Sequence, residues 1–291
     1  MDHDKPSGDR NPCIALMGEF SAGKSTLSNL LIGASPLPTK VTATQLPPVR
    51  ISNGEGAPFR VDLEGNEHPV DLEHLEDVPL AETSHIRLFA SSEILELCDL
   101  IDMPGISDPN MDAAVWQRVL PEADGVIWCT HATQAWRQSE AAVWETMPEE
   151  LKANSVLLLT RIDKLTNERD RRRVVQRVRH EAEDLFAGVF PISLIEAIGA
   201  GEDEAKWNAS GAGAFAEAFI GILNQIAAQG NPRANSSVSM SGATGEAAPS
   251  DHGRIVPRRV KVGEGSAARQ RPSASEVPLS AAVLQRQARG L

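Results

Sequence analysis

The sequence predicts an α/β fold with a mainly parallel sheet, helices on both faces and one antiparallel edge strand. Three observations predict it. Apolar runs of strand length alternate with stretches of helical character between about residues 12 and 229. A glycine-rich segment, Gly18–Ser25, lies between the first predicted strand and the first predicted helix, and Asp102-Met-Pro-Gly105 ends a later apolar strand. Strands that alternate with helices form parallel sheets, in which ligands bind at the carboxyl ends of the strands.

The predicted elements follow one another along the chain. Cys13–Met17 predicts the first strand and Lys24–Ile32 the first helix, with Gly33 placed to end that helix in a left-handed conformation. His85–Ala90 and Ile94–Ile101 predict two strands joined by a pair of serines, which we expect to pair antiparallel. The remaining predicted strands are Gly125–Thr130, Ser155–Thr160 and Phe190–Ser193, and the remaining predicted helices are Glu168–Phe186 and Gly213–Ala228.

One insertion interrupts this alternation. Phe59–Leu63 and the stretch around His68–Val70 are separated by a polar segment that contains a glycine, a pattern typical of a β-hairpin. Asp71–Asp77 is acidic and predicts a single helical turn. The sequence therefore predicts a small excursion beside the main sheet.

The composition predicts one folded domain between two polar segments. With 291 residues and 41% hydrophobic content, the chain can bury one sizeable core. We expect a flexible N-terminus at residues 1–11, a folded domain at 12–229 and a disordered tail at 230–291, which is rich in small and polar residues. We expect no long helical bundle after the domain, and therefore no membrane scission by this chain alone.

Charge is unevenly distributed between the body and the tail. The formal net charge is −12, but the tail holds nine basic and four acidic residues, so it carries +5 and the rest −17. An acidic body argues against nucleic-acid binding, which needs a basic surface. The basic tail has three interpretations: a solvated segment, which we favour, a contact with acidic membrane, or a contact with the acidic body.

The sequence favours a cytoplasmic location, with peripheral contact at the inner membrane through the tail as the alternative. No apolar stretch approaches the roughly 20 residues that span a bilayer. The first residues are polar and do not form a secretory signal. Cys13, Cys98 and Cys129 all lie in apolar runs, which predicts buried thiols rather than a metal or redox site.

Gly18-Glu-Phe-Ser-Ala-Gly-Lys-Ser25 has the spacing of a phosphate-binding P-loop. Its glycines allow successive backbone N–H groups to point at phosphate oxygens, at the positive end of the following helix. We expect Lys24 to bridge the β- and γ-phosphates, with the Ser25 hydroxyl ligating Mg²⁺. The alternative is a glycine-rich turn with an incidental Lys-Ser pair. The predicted phosphate-binding residues are Gly18, Glu19, Phe20, Ser21, Ala22, Gly23, Lys24, Ser25 and Thr26.

A second polar segment ends the strand before Met103. Asp102 at a strand end can hold Mg²⁺ through a water, and the backbone N–H of Gly105 can reach the γ-phosphate. Alone, an Asp-x-Pro-Gly pattern is often only a turn. Its place at the end of a strand that follows a P-loop favours the nucleotide interpretation.

A third segment, Leu157-Leu-Leu-Thr-Arg-Ile-Asp163, predicts the choice of base. The Asp163 carboxylate can accept hydrogen bonds from N1–H and the 2-amino group of guanine, which adenine does not offer. GTP and GDP are therefore the expected nucleotides, with Thr160 and Arg161 beside the base. Arg161 stands where such motifs usually have lysine, but its stem and guanidinium plane can still cover a base. The alternative is that Asp163 caps the helix entering at Thr166–Arg169.

In this order the three segments resemble the GTPase superclass of P-loop proteins. The amino-acid sequence in and around them resembles the bacterial dynamin-like family. The segments that carry the resemblance are Gly18–Leu27, Leu37–Thr44 and Ala132–Glu140, within a region of about Pro12 to Asn224. It implies a P-loop GTPase domain that hydrolyses GTP to GDP and phosphate with Mg²⁺. It also implies dimerisation with a second copy or a partner GTPase through the nucleotide face.

The resemblance assigns two further contacts. It implies that Leu37–Pro48 is the first switch loop, in which Thr44 contacts Mg²⁺ and the γ-phosphate, with Thr42 as the rival residue. It also implies that Pro191–Ser193 lies by the guanine, where a backbone N–H near Ser193 reaches the base oxygen. The expected catalytic residues are then Lys24, Ser21 and Thr44.

One departure from the family concerns the attacking water. Phe20 stands where eukaryotic dynamins have a glutamine that positions this water, and Ile106–Asp108 supplies no glutamine either. Ser21, a backbone group or a partner would have to activate the water, and Arg137 is a candidate arginine finger. We therefore expect slow turnover by the isolated chain, stimulated by dimerisation or a partner. The alternative function is a nucleotide-dependent binding or scaffold module with negligible turnover.

Overall fold

The computed structural model of the chain describes residues 10–33, 46–107 and 112–229, without the side chain of Glu76. Most of the predicted N-terminal segment and the whole predicted tail lie outside the described residues. The described strands form one nine-stranded sheet in the order β4-β3-β5-β2-β6-β1-β7-β8-β9. These strands are β1 (Cys13–Gly18), β2 (Val49–Asn53), β3 (Phe59–Asp62), β4 (Glu67–Pro69), β5 (Thr83–Ala90), β6 (Asp99–Asp102), β7 (Gly125–His131), β8 (Val156–Thr160) and β9 (Val189–Pro191).

The sheet has a parallel part and a mixed part. β6, β1, β7, β8 and β9 are parallel neighbours. β2 pairs antiparallel with β6 and parallel with β5, and β3 pairs antiparallel with both β5 and β4. The predicted α/β fold with a mainly parallel sheet is confirmed, although the antiparallel part is larger than the one edge strand expected. The predicted hairpin is also confirmed, as β3 and β4.

The described helices cover both faces of the sheet. They are α1 (Lys24–Ile32), α2 (Glu93–Leu97), α3 (Ala113–Gln117), α4 (Gln138–Glu145), α5 (Glu149–Lys152), α6 (Glu168–Glu181), α7 (Leu194–Gly199), α8 (Glu204–Ala209) and α9 (Ala212–Ala228). Short 3₁₀ turns occur at Leu72–Asp77, Leu120–Glu122, Ala132–Gln134 and Ile162–Lys164. The acidic stretch predicted as one helical turn is the first of these.

Two cores form on opposite faces because side chains alternate along each strand. In β1, Ile14 and Leu16 join the core that includes α1, α7 and α9. Cys13, Ala15 and Met17 join the other core, where Trp128 packs edge-on against Trp144 at a centroid distance of 5.5 Å. The three cysteines are buried as predicted, and burial raises the pKa of the Cys13 and Cys129 thiols to about 12.

The first strand, the first helix and the closing helix match their predictions within one residue, and Gly33 ends α1 with φ 74°. The strand predicted at Ile94–Ile101 was wrong. Glu93–Leu97 is helix α2, whose Ile94 and Leu95 side chains are buried, and the strand itself begins only at Asp99. The expected pairing with the preceding strand was also wrong, because β2 lies between β5 and β6. The sequence reasoning missed β2 altogether.

Candidate functional site

The P-loop is a tight turn between β1 and α1. Gly18 has φ 136°, and a Cβ added there would lie 2.1 Å from the carbonyl oxygen of Cys129, so only glycine fits. Ser21 (φ 58°) and Gly23 (φ 95°) are also left-handed. Helix α1 begins directly after this turn, at Lys24. The loop therefore lies at the N-terminus of a helix, and its Phe20 and Ala22 N–H groups already bond to Ser107 Oγ and the Glu19 carbonyl. That the loop N–H groups hold phosphate stays a prediction.

Lys24 is folded into the loop that precedes it. Its Nζ donates to the carbonyl oxygens of Gly18 at 3.1 Å and Glu19 at 2.9 Å. Burial lowers the pKa of Lys24, while the charge of Asp102 opposes that shift. The ammonium group therefore bonds to neutral carbonyl oxygens at the centre of the loop and not to a carboxylate. Its positive charge remains available to an anionic ligand.

Asp102 and Ser25 meet beside this lysine. Asp102 ends β6 and lies opposite Leu16 of β1, which places its carboxyl next to the P-loop. Burial raises the pKa of Asp102, and the Lys24 charge and a hydrogen bond from Ser25 lower it. A carboxylate and a hydroxyl are hard oxygen ligands of the kind that Mg²⁺ prefers when phosphates complete its shell. The predicted third ligand, Thr44, lies outside the described residues, as does its rival Thr42.

The described residues contain no cluster of three or more His, Cys, Asp or Glu side chains that could hold a metal ion. Mg²⁺ is usually bound by one or two carboxylates together with substrate phosphates. The Asp102 carboxyl and the Ser25 hydroxyl fit such an ion.

The segment after Asp102 packs directly on the P-loop. A Cβ at Gly105 would lie 3.0 Å from both the backbone nitrogen and the Cα of Phe20. The backbone N–H of Phe20 donates to Ser107 Oγ at 3.1 Å, and the Ile106 N–H donates to the Gly18 carbonyl at 3.2 Å. The Phe20 side chain is 64% exposed. The structure thus brings together the two predicted phosphate-contacting segments.

The end of β8 is tied to the same loop. Thr160 is buried, and its Oγ1 lies 2.8 Å from the carbonyl oxygen of Ala22. Arg161, with φ 54°, donates from Nη2 to the carbonyl oxygen of Ser21 at 2.8 Å. Arg161, at the position where such motifs usually have lysine, therefore still contacts the P-loop through a positively charged side chain. These contacts place the predicted base-selecting segment next to the phosphate-binding segment.

Asp163 follows in a 3₁₀ turn at the same edge of the sheet. The Lys164 Nζ lies 3.8 Å from Asp163 Oδ2. The alternative that Asp163 caps the next helix was wrong, because Asn167 is the N-cap of α6 and accepts from the Arg169 N–H at 2.9 Å. The role of Asp163 toward guanine stays a prediction.

Ser193 is buried at the start of α7, close to the P-loop. Its own N–H donates to the Ser210 carbonyl at 2.9 Å, and its hydroxyl accepts from the Glu196 N–H at 3.3 Å. A Cβ added at Gly23 would lie 3.2 Å from Leu194 Cδ1, so α7 contacts the loop. The expected hydrogen bond to the base oxygen would then come from a neighbouring backbone N–H.

Comparison with known proteins gives one family. The family model described as the dynamin family matches residues 14–162, about half of the chain. This chain belongs to the dynamin family. Dynamin-like protein 2 from Campylobacter jejuni is 32% identical over 168 residues, which cover 55% of this chain and 27% of that protein.

Solved structures agree on the fold of this dynamin-family domain. One, described as an oligomerised bacterial dynamin pair that provides a mechanism for long-range sensing and tethering of membranes, superposes with a TM-score of 0.54 at 22% identity. The superposition covers 75% of this chain and 35% of the solved chain. A second structure with almost the same description gives a TM-score of 0.53. The chain thus spans about a third of the solved relatives' length, and the shared part is the P-loop GTPase domain fold.

Sequence reasoning missed one set of contacts in the site. Glu19 of the P-loop bonds to Arg137 and Ser139, which lie at the start of α4. The resemblance of Ala132–Glu140 to the dynamin-like family was the signal that pointed to this segment, but it gave no partner. Among the described helices, none has both the length and the apolar composition needed to cross a membrane.

Proposed function

We propose that this chain binds GTP with Mg²⁺ and hydrolyses it to GDP and phosphate. The observation that carries the proposal is the convergence of three segments on one loop. Lys24, the Ser25–Asp102 pair and the Arg161–Ser21 contact all lie at the carboxyl ends of β1, β6 and β8, in the parallel part of the sheet. Phosphate ligands of α/β folds bind at this edge, and membership of the dynamin family supports the choice of nucleotide.

The residues of the loop would act mainly through position and charge. The backbone N–H groups of residues 18–26 would hold the phosphates, and Lys24 would exchange its two carbonyl partners for β- and γ-phosphate oxygens. Ser25, Asp102 and Thr44 would hold Mg²⁺, which when bound neutralises charge on those oxygens. The Gly105 N–H would meet the γ-phosphate, and Ser21 or a backbone group would orient the attacking water. The larger part of the rate enhancement would come from this preorganised charge.

Guanine would be selected at the other end of the site. The Asp163 carboxylate would accept the two donors of the guanine edge, while Arg161 and Thr160 hold the strand end against the loop. Ser193 would support the backbone that meets the base oxygen. ATP offers no matching donors, so its binding would leave the carboxylate unpaired.

We propose that intrinsic turnover is slow and rises on association. Phe20, at the position of the dynamin glutamine, is apolar, and its side chain is largely exposed. A second copy or a partner GTPase would then complete the site. The solved relative described as an oligomerised bacterial dynamin pair supports such an association. That relative is described as tethering membranes. For this chain we propose peripheral membrane contact.

The second candidate function is a nucleotide-dependent binding or scaffold module with negligible turnover. The observation that favours it is the same exposed Phe20, since its ring cannot orient a water. The two functions differ in the dependence of turnover on protein concentration. They make the same prediction for nucleotide binding.

One experiment tests binding, and another separates the two functions. Calorimetric titration with GDP, GTP and ATP should give binding of the guanine nucleotides alone, and Lys24→Ala should lose it. Wild-type protein that binds no guanine nucleotide would overturn the proposal. Phosphate release per molecule should then rise with protein concentration, with a further arm containing anionic vesicles. Turnover that stays negligible at every concentration, with and without vesicles, would support the scaffold function instead.

We also propose that the domain extends over residues 12–229, as the sequence predicts, with 230–291 as a separate tail. The described elements run from β1 to the end of α9 at Ala228, which supports these bounds. Limited proteolysis should trim the chain to this domain and leave nucleotide binding intact.

A further inference from the structure

The P-loop of this chain contains a carboxylate, Glu19, although we expect this loop to bind an anionic ligand. The Glu19 side chain is only 16% exposed, and both of its oxygens are bonded. Oε2 accepts from Arg137 Nη1 at 3.1 Å, and Oε1 accepts from Ser139 Oγ at 2.9 Å. A negative charge beside a phosphate site opposes phosphate binding. The bonds from Arg137 and Ser139 to Glu19 therefore affect how strongly the loop binds phosphate.

Arg137 and Ser139 are held in place by a buried acid. Glu140 Oε1 accepts from Trp128 Nε1 at 3.0 Å, and Oε2 accepts from Thr130 Oγ1 at 2.9 Å and from the Arg137 N–H at 3.0 Å. Thr130 and Trp128 belong to β7, the neighbour of β1. The N-terminus of α4 is therefore fixed to the strand beside the P-loop, and it presents two donors to Glu19.

The charge of Glu19 also reaches Lys24. The Glu19 carbonyl oxygen accepts from Lys24 Nζ at 2.9 Å, so the backbone of the same residue forms part of the cradle of the ammonium group. The Glu19 carboxylate raises the pKa of Lys24, against the larger effect of burial, which lowers it. A change in the pairing of this carboxylate would thus be felt where the β- and γ-phosphates are expected.

We propose that Arg137 is a positioning residue that neutralises Glu19 and so sets the preference of the P-loop for triphosphate over diphosphate. The inference rests on the proposed function. GTP has more negative charge than GDP, and the additional charge lies at the γ-phosphate, next to Lys24. An unpaired carboxylate in the loop therefore weakens GTP more than GDP, whereas loss of a merely structural contact weakens both alike.

Two simpler interpretations compete with this one. Arg137 is 44% exposed, and many exposed ion pairs contribute little. Arg137 could also contact a phosphate directly, as an arginine finger does. The three interpretations give different results when Glu19 and Arg137 are changed together. Removal of both charges restores the wild-type nucleotide preference only if Arg137 acts by neutralising Glu19.

The experiment measures dissociation constants for GDP and a non-hydrolysable GTP analogue, at low and at physiological salt. The variants are Arg137→Gln, Glu19→Gln, the double variant, Arg137→Lys and Ser139→Ala. We expect Arg137→Gln to weaken the triphosphate about tenfold at low salt and the diphosphate about threefold or less. The double variant should recover the wild-type ratio, and Arg137→Lys should retain most of it. Ser139→Ala should change the ratio least, because it removes no charge.

Arg172→Gln is the matched control, because Arg172 forms an exposed ion pair with Glu168 on α6, away from the loop. Equal weakening of both nucleotides by Arg137→Gln, or no weakening, would overturn the proposal. A double variant as weak as Arg137→Gln would also overturn it and would favour direct phosphate contact. Thermal melting identifies any variant that fails to fold, and Arg137→Lys then carries the test. Wild-type protein that binds neither nucleotide would overturn the proposed function itself.

Discussion

Two groups of buried and partly buried charged side chains lie on this sheet, and they are paired to different degrees. At the P-loop, Lys24 bonds to two backbone carbonyls, and Asp102 takes a hydrogen bond from a neutral hydroxyl. On the sheet face over β2, β5 and β6, the side chains of Arg50, His85, Asp99 and Glu122 form a second group, the Arg50 cluster.

The Arg50 cluster is closed by its own members. Arg50 Nε and Nη2 lie 2.9 and 2.6 Å from Asp99 Oδ2, and Nη1 lies 2.7 Å from Glu122 Oε2. His85 Nδ1 lies 3.7 Å from Glu122 Oε1. The partly buried Arg50 guanidinium thus makes charge-assisted hydrogen bonds to two carboxylates of the protein itself.

The difference indicates what each group is for. The P-loop charges are buried but are only partly satisfied by neutral groups, so a ligand of opposite charge can improve their environment. Arg50 needs no ligand, because its guanidinium already bonds to the carboxylates of Asp99 on β6 and Glu122 in the turn before β7. Changes at the first group should affect nucleotide, and changes at the second should affect stability.

The largest expected effect is on turnover. Lys24→Ala should lower the rate of phosphate release by about a thousandfold, because it removes the main protein cation at the phosphates. The free energy of unfolding should stay unchanged or rise, since burial already disfavours this charge. Single-turnover phosphate release and thermal melting measure the two quantities. Lys206→Ala, on exposed α8, is the control, and a large loss of stability in Lys24→Ala would contradict the comparison.

The next effect is on folding. Arg50→Met should lower the free energy of unfolding by about 3–5 kcal/mol, because Asp99 would remain buried without its partner. Denaturant titration measures it, and nucleotide affinity of the folded fraction should not change. Arg172→Met breaks an exposed pair and should cost about 1 kcal/mol or less. Equal losses in the two variants would show that the Arg50 cluster is not a structural core.

A smaller effect concerns the base. Asp163→Asn should weaken GTP about 10- to 100-fold, because the amide nitrogen cannot accept from guanine N1–H. Xanthine nucleotide should gain affinity in the same variant, since its edge offers an acceptor. Competition binding with both nucleotides measures the exchange, with Asp170→Asn on α6 as the control. If the preference for guanine persists, Asp163 does not select the base.

The smallest effect is a pH dependence at the Arg50 cluster. Burial lowers the pKa of His85, and the positive charges of Arg87 and Arg50 lower it further against the opposing charge of Glu122. The unfolded chain then takes up a proton at higher pH than the folded chain, so stability is lost as pH falls below about 6.5. His85→Gln should flatten the decline in unfolding free energy between about pH 7 and pH 5. His180→Gln, on α6, should leave that decline unchanged.

Local sequence patterns determined much of this fold. The apolar run Cys13–Met17 and the glycines of the P-loop predicted β1, the turn and α1 correctly, because these elements depend on neighbouring residues. The strand predicted at Ile94–Ile101 was wrong in its first half, because a short apolar run fits either a strand or a helix. Only the packing of Ile94 and Leu95 against the core decided for the helix. The placement of β2 between β5 and β6 was likewise beyond any local pattern.

The sequence by itself predicted the chemistry of the site: a phosphate loop with Lys24, an acid at the end of one strand, and Asp163 after another. Only the tertiary structure decided how these groups meet. Glu19 and Arg137 are 118 residues apart in sequence, and Arg161 is 140 residues from Ser21, yet each pair is bonded. Such contacts depend on the order of the strands in the sheet, which brings β7 and β8 to the edge of the P-loop. No spacing along the chain encodes that order.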